Sequence, residues 1–245
     1  MQKTIEMQAA GMDYQALNES LRAQGAQNII VHGVMGQRYL GCGMQDKTLT
    51  LYGTPGNGLG QYLSGATIEV FGSAQEATGD TMNAGEIIVH GRCGDAAGYG
   101  MRGGRILIRD EVGYRAGIHM KAYEEHKPVM VVGASAGSFL GEYLAGGLIV
   151  VLGIGMQGKY PAGFFCGTGM HGGKIILRCD QKPQGLPEQV CVQACTDADR
   201  EEMRPHVQAY CRCFGGDPEA LLAAHYFVLT PNPEKGYHRM YTSVI

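Results

Sequence analysis

The sequence predicts an all-β fold, a single-stranded parallel β-helix with short helical caps at both ends. Three observations support this prediction: a repeat of about 19–20 residues, two aliphatic columns within the repeat, and a glycine content about twice the average. Glycine supplies 39 of the 245 residues and proline only 9, without a Gly-X-Y period, so a collagen-like fibre is excluded.

The repeat is defined by the residue that ends each predicted strand. These residues are Gly33, Gly53, Gly72, Gly91, Asp110, Gly133, Gly153 and Cys179. Two and four positions before each of them the residue is always Ile, Leu or Val, so one face of every strand is predicted to be buried. In the strand that ends at Gly133, this assigns Val129 and Val131 to the interior. One position before each end the residues are mixed, which indicates a partly solvated face.

Methionine and leucine form a further column, and we interpret it as an internal stack that fills the core. Its members are Met44, Leu63, Met82, Met101, Leu144 and Met170, with Met120 displaced by an insertion, AYEEHKP, that predicts an external loop. Because one coil cannot bury its own apolar face, successive coils are expected to stack with their strands paired.

Glycine is expected at the corners of the coils, where a G-x-x-G-x-x-x-G pattern follows the strand end. So short a coil must change direction several times, and glycine permits positive φ and close approach of backbones. The residues interpreted as structural turn glycines are Gly33, Gly36, Gly53, Gly56, Gly60, Gly72, Gly91, Gly94, Gly98, Gly113, Gly117, Gly133, Gly137, Gly141 and Gly153. We assign no catalytic, cofactor-binding or metal-ligating residue.

The segments outside the repeat are predicted to cover its ends, where strand edges would otherwise be unpaired. The chain divides into an N-terminal helical cap (1–27), a β-helix of about seven coils (28–180) and a C-terminal helical tail or arm (181–245). In the first segment, the amphipathic stretch Asp13–Gln24 predicts a helix that stops at Gly25.

The C-terminal tail is predicted to hold two helices and a short strand. The first helix covers residues 197–213 with Asp197 as N-cap, and the second covers Pro218–His225 after Asp217. Tyr226–Thr230 is predicted as a strand, and the final segment, PNPEKGYHRMYTSVI, as an arm laid on the rod or on a partner.

Two motifs suggest enzyme chemistry. A GxGxxG string at Gly153, Gly155 and Gly158 imitates a dinucleotide fingerprint, but the sequel KYPAGFFCGTGMHGG cannot provide the helix that binds a pyrophosphate. Nucleotide binding is therefore rejected. His119 and His126 flank the inserted loop, and a stand-alone solenoid acyltransferase that uses one of them remains an alternative.

The eight cysteines follow no secreted disulfide pattern. Cys191, Cys195, Cys211 and Cys213 form the only close pairs, with spacings that do not match a tetrahedral zinc site. We interpret them as small apolar helix residues, and a metal or Fe–S cluster on these four residues is the alternative.

Charge and hydropathy exclude several kinds of partner. The net charge is −3 and no basic block stands out, so no nucleic-acid partner is expected. No apolar run has the length of a membrane span, so no membrane partner is expected. The N-terminal residues lack the layout of a signal peptide, so a cytoplasmic location is expected.

The repeated G-x-x-G-x-x-x-G corner, followed by x-I-x-V-x-G strands, resembles the C-terminal β-helix domain of the glutamate synthase large subunit over about residues 28–180. This domain type is similar to the C-type subunit of formylmethanofuran dehydrogenase. The resemblance implies a right-handed parallel β-helix with a structural role. It also implies that ammonia release and reductive amination belong to other parts of the enzyme, since position 2 is Gln2 and not the amidotransferase cysteine.

From this resemblance we expect a non-catalytic scaffold subunit of a glutamate synthase-type complex. Its partners would be a glutamine amidotransferase-type subunit and an FMN/Fe–S glutamate synthase-type subunit, and a homo-oligomer is left open. No cofactor is expected in this chain, with FMN and Fe–S clusters in the partner subunits. The alternatives are a component like the C-type subunit of a formylmethanofuran dehydrogenase and the stand-alone acyltransferase.

Overall fold

The structure, a computed structural model, describes residues 3–235. Most of this part of the chain is built from short strands separated by turns, with three helices near its ends. The elements are β1 (Thr4–Gln8), α1 (Tyr14–Ala23), β2 (Asn28–Met35), β3 (Thr48–Thr54), β4 (Ser64–Phe71), β5 (Ala84–Val89), β6 (Arg105–Ile108), β7 (Val129–Val132), β8 (Ala145–Val151), β9 (Gly172–Arg178), β10 (Val190–Ala194), α2 (Asp197–Phe214), α3 (Pro218–Leu222) and β11 (Tyr226–Pro231).

The strands of the described residues join one sheet, in the order β1 to β9, then β11 and β10. From β1 to β9, each strand pairs in parallel with the next strand along the chain. Parallel neighbours need a crossover between them, which the corners of each coil supply. The predicted all-β fold of stacked parallel strands is confirmed at this level.

The predicted columns form the core. Ile68 pairs in register with Leu49 and Ile87, and all three side chains are fully buried. A ladder of single parallel bridges adds a second wall: Ala74, Cys93, Val112, Ala136 and Ala162. The methionine and leucine column from Leu63 to Met170 is fully buried as well. Each such aliphatic side chain contributes about 1.5–3 kcal/mol before the entropy of folding is subtracted.

The prediction was wrong by one residue in β7. Met130 pairs with Ile106, and Val132 pairs with Ile108, so these two residues continue the internal columns. Val129 and Val131 point to the opposite face of the sheet and are buried there. A shift of one residue moves every side chain of a strand to its other face, and V-M-V-V offers no polar residue to fix the register.

Helix α2 lies on the outer face of the sheet and does not cap its end, contrary to the prediction. Its residues Met203, Val207 and Tyr210 belong to an apolar cluster with outward-facing residues of five strands. These outward-facing residues are Ile88, Leu107, Val129, Val131, Leu148, Val150 and Ile176. The C-terminal end of the core is covered instead by Leu186 and by Val190 and Val192 of β10, which pairs antiparallel with β11.

At the N-terminal end, β1 pairs with β2 and α1 closes the core with Leu17 and Leu21. Asp13 caps α1, since the Ala16 backbone N–H donates to its Oδ1 at 2.8 Å. In α2 the N-cap is Thr196, and the predicted cap, Asp197, is the first helical residue. Helix α3 begins after Asp217 as predicted, while the final residues 236–245 of the predicted arm lie outside the described residues.

Candidate functional site

The fifteen predicted turn glycines fall into two structural groups. Positive φ angles occur at Gly33, Gly36, Gly53, Gly60, Gly98, Gly117, Gly141 and Gly153. The other group has ordinary φ angles, but a Cβ on each residue would overlap the preceding coil: Gly56, Gly72, Gly91, Gly94, Gly113, Gly133 and Gly137. At Gly133, the overlap would be with Arg109 O and the Tyr210 hydroxyl of α2. The first group permits the turns of the coil, and the second group lets neighbouring coils stack closely.

One corner of the coil repeats a feature that sequence reasoning missed. Its middle glycine has positive φ, and the residues two positions before and after it usually do too, as Arg115, Gly117 and His119 show. Several of these flanking residues are not glycine: Tyr39, Tyr62, Ala77, Thr81, Ala96, Arg115, His119, Phe139, Tyr143 and Phe165. A left-handed conformation costs a non-glycine residue about 1–2 kcal/mol. Large side chains kept at such positions point to a function on this surface.

Aromatic side chains from consecutive coils meet at this corner, and we name Tyr114, Phe139, Phe164 and Phe165 the corner aromatic patch. The ring centroids of Tyr114 and Phe139 are 5.2 Å apart, and those of Phe139 and Phe165 are 4.9 Å apart. Phe164 is 79% exposed and Phe165 is 55% exposed. Side chains this apolar and this exposed are typical of a surface that another protein covers.

Arg115 anchors the corner aromatic patch to the rod. Its guanidinium lies over the rings of Tyr114 and Phe139, 5.0 and 5.5 Å from their centroids. Its Nε is 2.8 Å from Glu142 Oε2, and the Glu142 side chain is only 9% exposed. The ion pair and the cation–π contacts fix the rings in one arrangement, which lowers the entropy lost on docking.

The two histidines of the acyltransferase alternative lie in different settings. The His119 ring stacks on Tyr143 with centroids 5.0 Å apart, and its edge meets Tyr99 at 5.9 Å. His126 lines a cleft of about 490 Å³ under the inserted loop, and His119 does not line it. The geometry does not bring the two imidazoles into one site.

A second aromatic row follows the outer face of the first strands. His32, Tyr52, Phe71 and His90 stack with centroid distances of 4.9, 4.9 and 4.4 Å. Phe214 of α2 meets the His90 ring at 5.0 Å, so the row runs into the helix that covers the rest of this face. The mixed column predicted one position before each strand end therefore includes an ordered aromatic ladder.

The cysteines are distributed through the fold. Burial raises the pKa of Cys93 and of Cys166 to about 12, so both thiols stay protonated in the core. Cys191 lies in β10 and Cys195 follows it, so the expectation of four helical cysteines was wrong for these two. Cys211 and Cys213 are in α2.

Among residues 3–235, no group of three or more His, Cys, Asp or Glu side chains is placed to hold a metal ion. None of the helices in that range has both the length and the apolar character needed to cross a bilayer.

Comparisons with known proteins give one family and one relative of nearly full length. A model of the GXGXG motif family matches residues 1–230. The chain is 39% identical over 251 residues to "Uncharacterized protein MJ1350" of Methanocaldococcus jannaschii, which covers 97% of this chain and 96% of the relative.

A solved structure shares the fold. It is a chain in the X-ray crystal structure of the formyltransferase/hydrolase complex FhcABCD from Methylorubrum extorquens with methylofuran. The TM-score is 0.61 at 20% identity, with 91% of this chain and 92% of that chain covered. At that identity the likeness extends to the fold alone.

Proposed function

Because the chain belongs to the GXGXG motif family, we propose that it is a non-catalytic structural subunit of a multi-subunit enzyme complex. In this proposal the coils wind into a right-handed parallel β-helix, and partner subunits dock on its aromatic surfaces. The observation that carries the proposal is the corner aromatic patch, with Phe164 at 79% exposure.

The patch supports docking for two physical reasons. Exposed aromatic rings provide large apolar area with few rotatable bonds, and such residues dominate the energy of interfaces. Phe139 and Phe165 also occupy the left-handed region, with φ angles of 61° and 60°, which is unfavourable for a residue with a side chain. Aromatic residues kept at such strained positions indicate a role for their rings on this surface.

Two kinds of complex are candidates. The first is a complex of the formylmethanofuran dehydrogenase or formyltransferase/hydrolase kind, in which this chain takes the place of the C-type subunit. The solved structure, which matches 91% of the chain, favours it. A glutamate synthase-type complex is the second candidate, supported by the resemblance of the repeated corner. Its amidotransferase and FMN/Fe–S subunits would then be the partners.

Affinity purification of the tagged chain from its native host tests the proposal and separates the two candidates. We expect partner subunits at stoichiometric yield, identified by mass spectrometry as formyl-transferring and metal–pterin subunits in the first case. An amidotransferase and a flavoprotein would indicate the second. The purified chain alone should show no glutaminase activity and no flavin absorbance. A chain that is recovered alone, or one with such activity, would refute a scaffold role.

A further inference from the structure

The cleft beneath the inserted loop has the character of a ligand site. It measures about 490 Å³ and is lined by Asn83, Arg102, Lys121, Tyr123 and His126. Pockets for small molecules commonly have volumes of about 300–1,000 Å³. Each of the five side chains can donate a hydrogen bond and none is acidic, although the chain as a whole carries a net charge of −3.

Stacking of the coils builds one wall of this cleft. Asn83, Arg102 and Lys121 lie on successive coils, each directly after a buried residue of the methionine column. The backbone N–H of Arg102 donates to Met82 O at 2.8 Å, and that of Lys121 donates to Met101 O at 3.0 Å. The three polar side chains therefore form a column on neighbouring rungs about 4.8 Å apart.

Within residues 3–235, Arg102 and Lys121 are adjacent cations with no ion pair to a carboxylate. Three other arginines of the rod each face an acid on a neighbouring coil. Such pairs are Arg92–Glu111, Arg105–Glu86 and Arg115–Glu142. Both side chains are exposed on neighbouring coils, so their like charges repel each other through solvent. A bound anion would relieve this repulsion.

The loop adds the opposite wall. A pair of backbone hydrogen bonds between Tyr123 and His126, 3.0 and 2.9 Å long, closes it into a tight turn. This turn directs both side chains to the cleft, while Glu124 and Glu125 at its tip do not line it. The insertion thus brings an imidazole and a phenol to the cleft that the two cations line, while its own carboxylates do not line it.

We propose that this cleft binds a small organic polyanion, with two or more carboxylate or phosphate oxygens held between Arg102 and Lys121. The planar guanidinium of Arg102 can donate two parallel hydrogen bonds to either group, and Lys121 supplies a compact second charge. The Asn83 amide and the Tyr123 hydroxyl complete the donors around the ligand.

Isothermal titration calorimetry on the full chain, with citrate and with pyrophosphate, tests this site. Sodium chloride keeps the ionic strength equal in all titrations, since exposed charges are screened by salt. We expect saturable binding at one site, with the tighter of the two probes indicating carboxylate or phosphate chemistry. The R102Q/K121Q variant should bind at least about tenfold more weakly, while K159Q/K182Q, which removes two exposed cations elsewhere, should bind as the wild type does.

Three outcomes would overturn the proposal. The first is the absence of saturable binding for both probes, and the second is an equal loss of binding in both double variants. The third is a large drop in the melting temperature of ligand-free R102Q/K121Q, because it would show that the two cations stabilise the fold. The proposal requires that this variant melt no lower than the wild type.

Discussion

At the scale of single residues, the cost of replacing a corner glycine depends on the atoms that an added Cβ would contact. Gly79 has a φ of 71°, and a Cβ there would overlap Cδ1 of Ile106 on the next coil. Gly43 has a φ of 66°, and its Cβ would meet nothing within 4 Å. The two positions share the conformational requirement and differ only in packing.

Because of this difference in packing, alanine substitutions at Gly43 and Gly79 form a matched pair of variants. Gly43→Ala should lower the free energy of unfolding by about 1–2 kcal/mol from φ strain alone. Gly79→Ala should add a further ~1–3 kcal/mol, because the core must shift around the extra methyl group. Urea unfolding of both variants measures the difference, and equal losses would contradict the close-packing explanation.

The residue scale is also where prediction from sequence was incomplete. The glycines at the corners could be predicted because they recur in register. The left-handed Phe139, Tyr143 and Phe165 could not, because no propensity rule places aromatic residues there. A signal was present in hindsight: these residues fill columns in which other coils carry glycine, such as Gly58 and Gly169.

At the scale of elements, α2 is held to the sheet by apolar packing and by one charged cluster. Lys174 Nζ of β9 donates to Asp199 Oδ1 and to Glu202 Oε2, both at 2.7 Å. Thr196 and Asp199 form a capping box at the start of the helix. Burial alone would raise the pKa of Asp199, but hydrogen bonds from Lys174 and Thr196 outweigh it and hold the pKa below its ordinary value.

The pH dependence of stability follows from that shift. A depressed carboxyl pKa stabilises the fold above the ordinary Asp pKa, about 3.9, and this stabilisation is lost as the pH falls through the lower folded pKa. Asp199→Asn should therefore destabilise the protein by about 1 kcal/mol at pH 7, with the difference vanishing in acid. Denaturation at several pH values tests this. Asp197→Asn, in the same turn, serves as the control and should cost less at pH 7, and a pH-independent deficit in Asp199→Asn would contradict the assignment.

The outward-facing residues of the strands explain both why the position of α2 was predicted wrongly and why the register of β7 was. Outward positions of β3 and β4 carry Thr50 and Glu69, whereas those of β6 and β8 carry Leu107 and Val150. The change to apolar residues marks the part of the sheet that α2 covers. Once both faces of a strand are buried, the alternation that fixes its register disappears, as it does in β7.

At the scale of the whole molecule, the repeat predicted the stacked sheet because aliphatic residues and glycines recur at the same positions of successive coils. What covers the stack was not predicted, since α2 contacts strands far from it in sequence and its docking depends on their outer faces. The same reasoning applies between molecules. The exposed rings at the corner and along the first strands are apolar, as is the sheet face that α2 covers, so we expect other chains to cover them.

The most direct test of this account is the mass of the native assembly purified with wild-type or variant tagged chain. F164S/F165G removes the two most exposed rings of the corner aromatic patch and relieves the left-handed strain at position 165, so the variant chain should melt no lower than the wild type. M35S, which removes another exposed side chain, is the control. We expect wild type and M35S to recover the full assembly, and F164S/F165G to be recovered mainly alone. A full assembly with F164S/F165G would contradict docking on this patch.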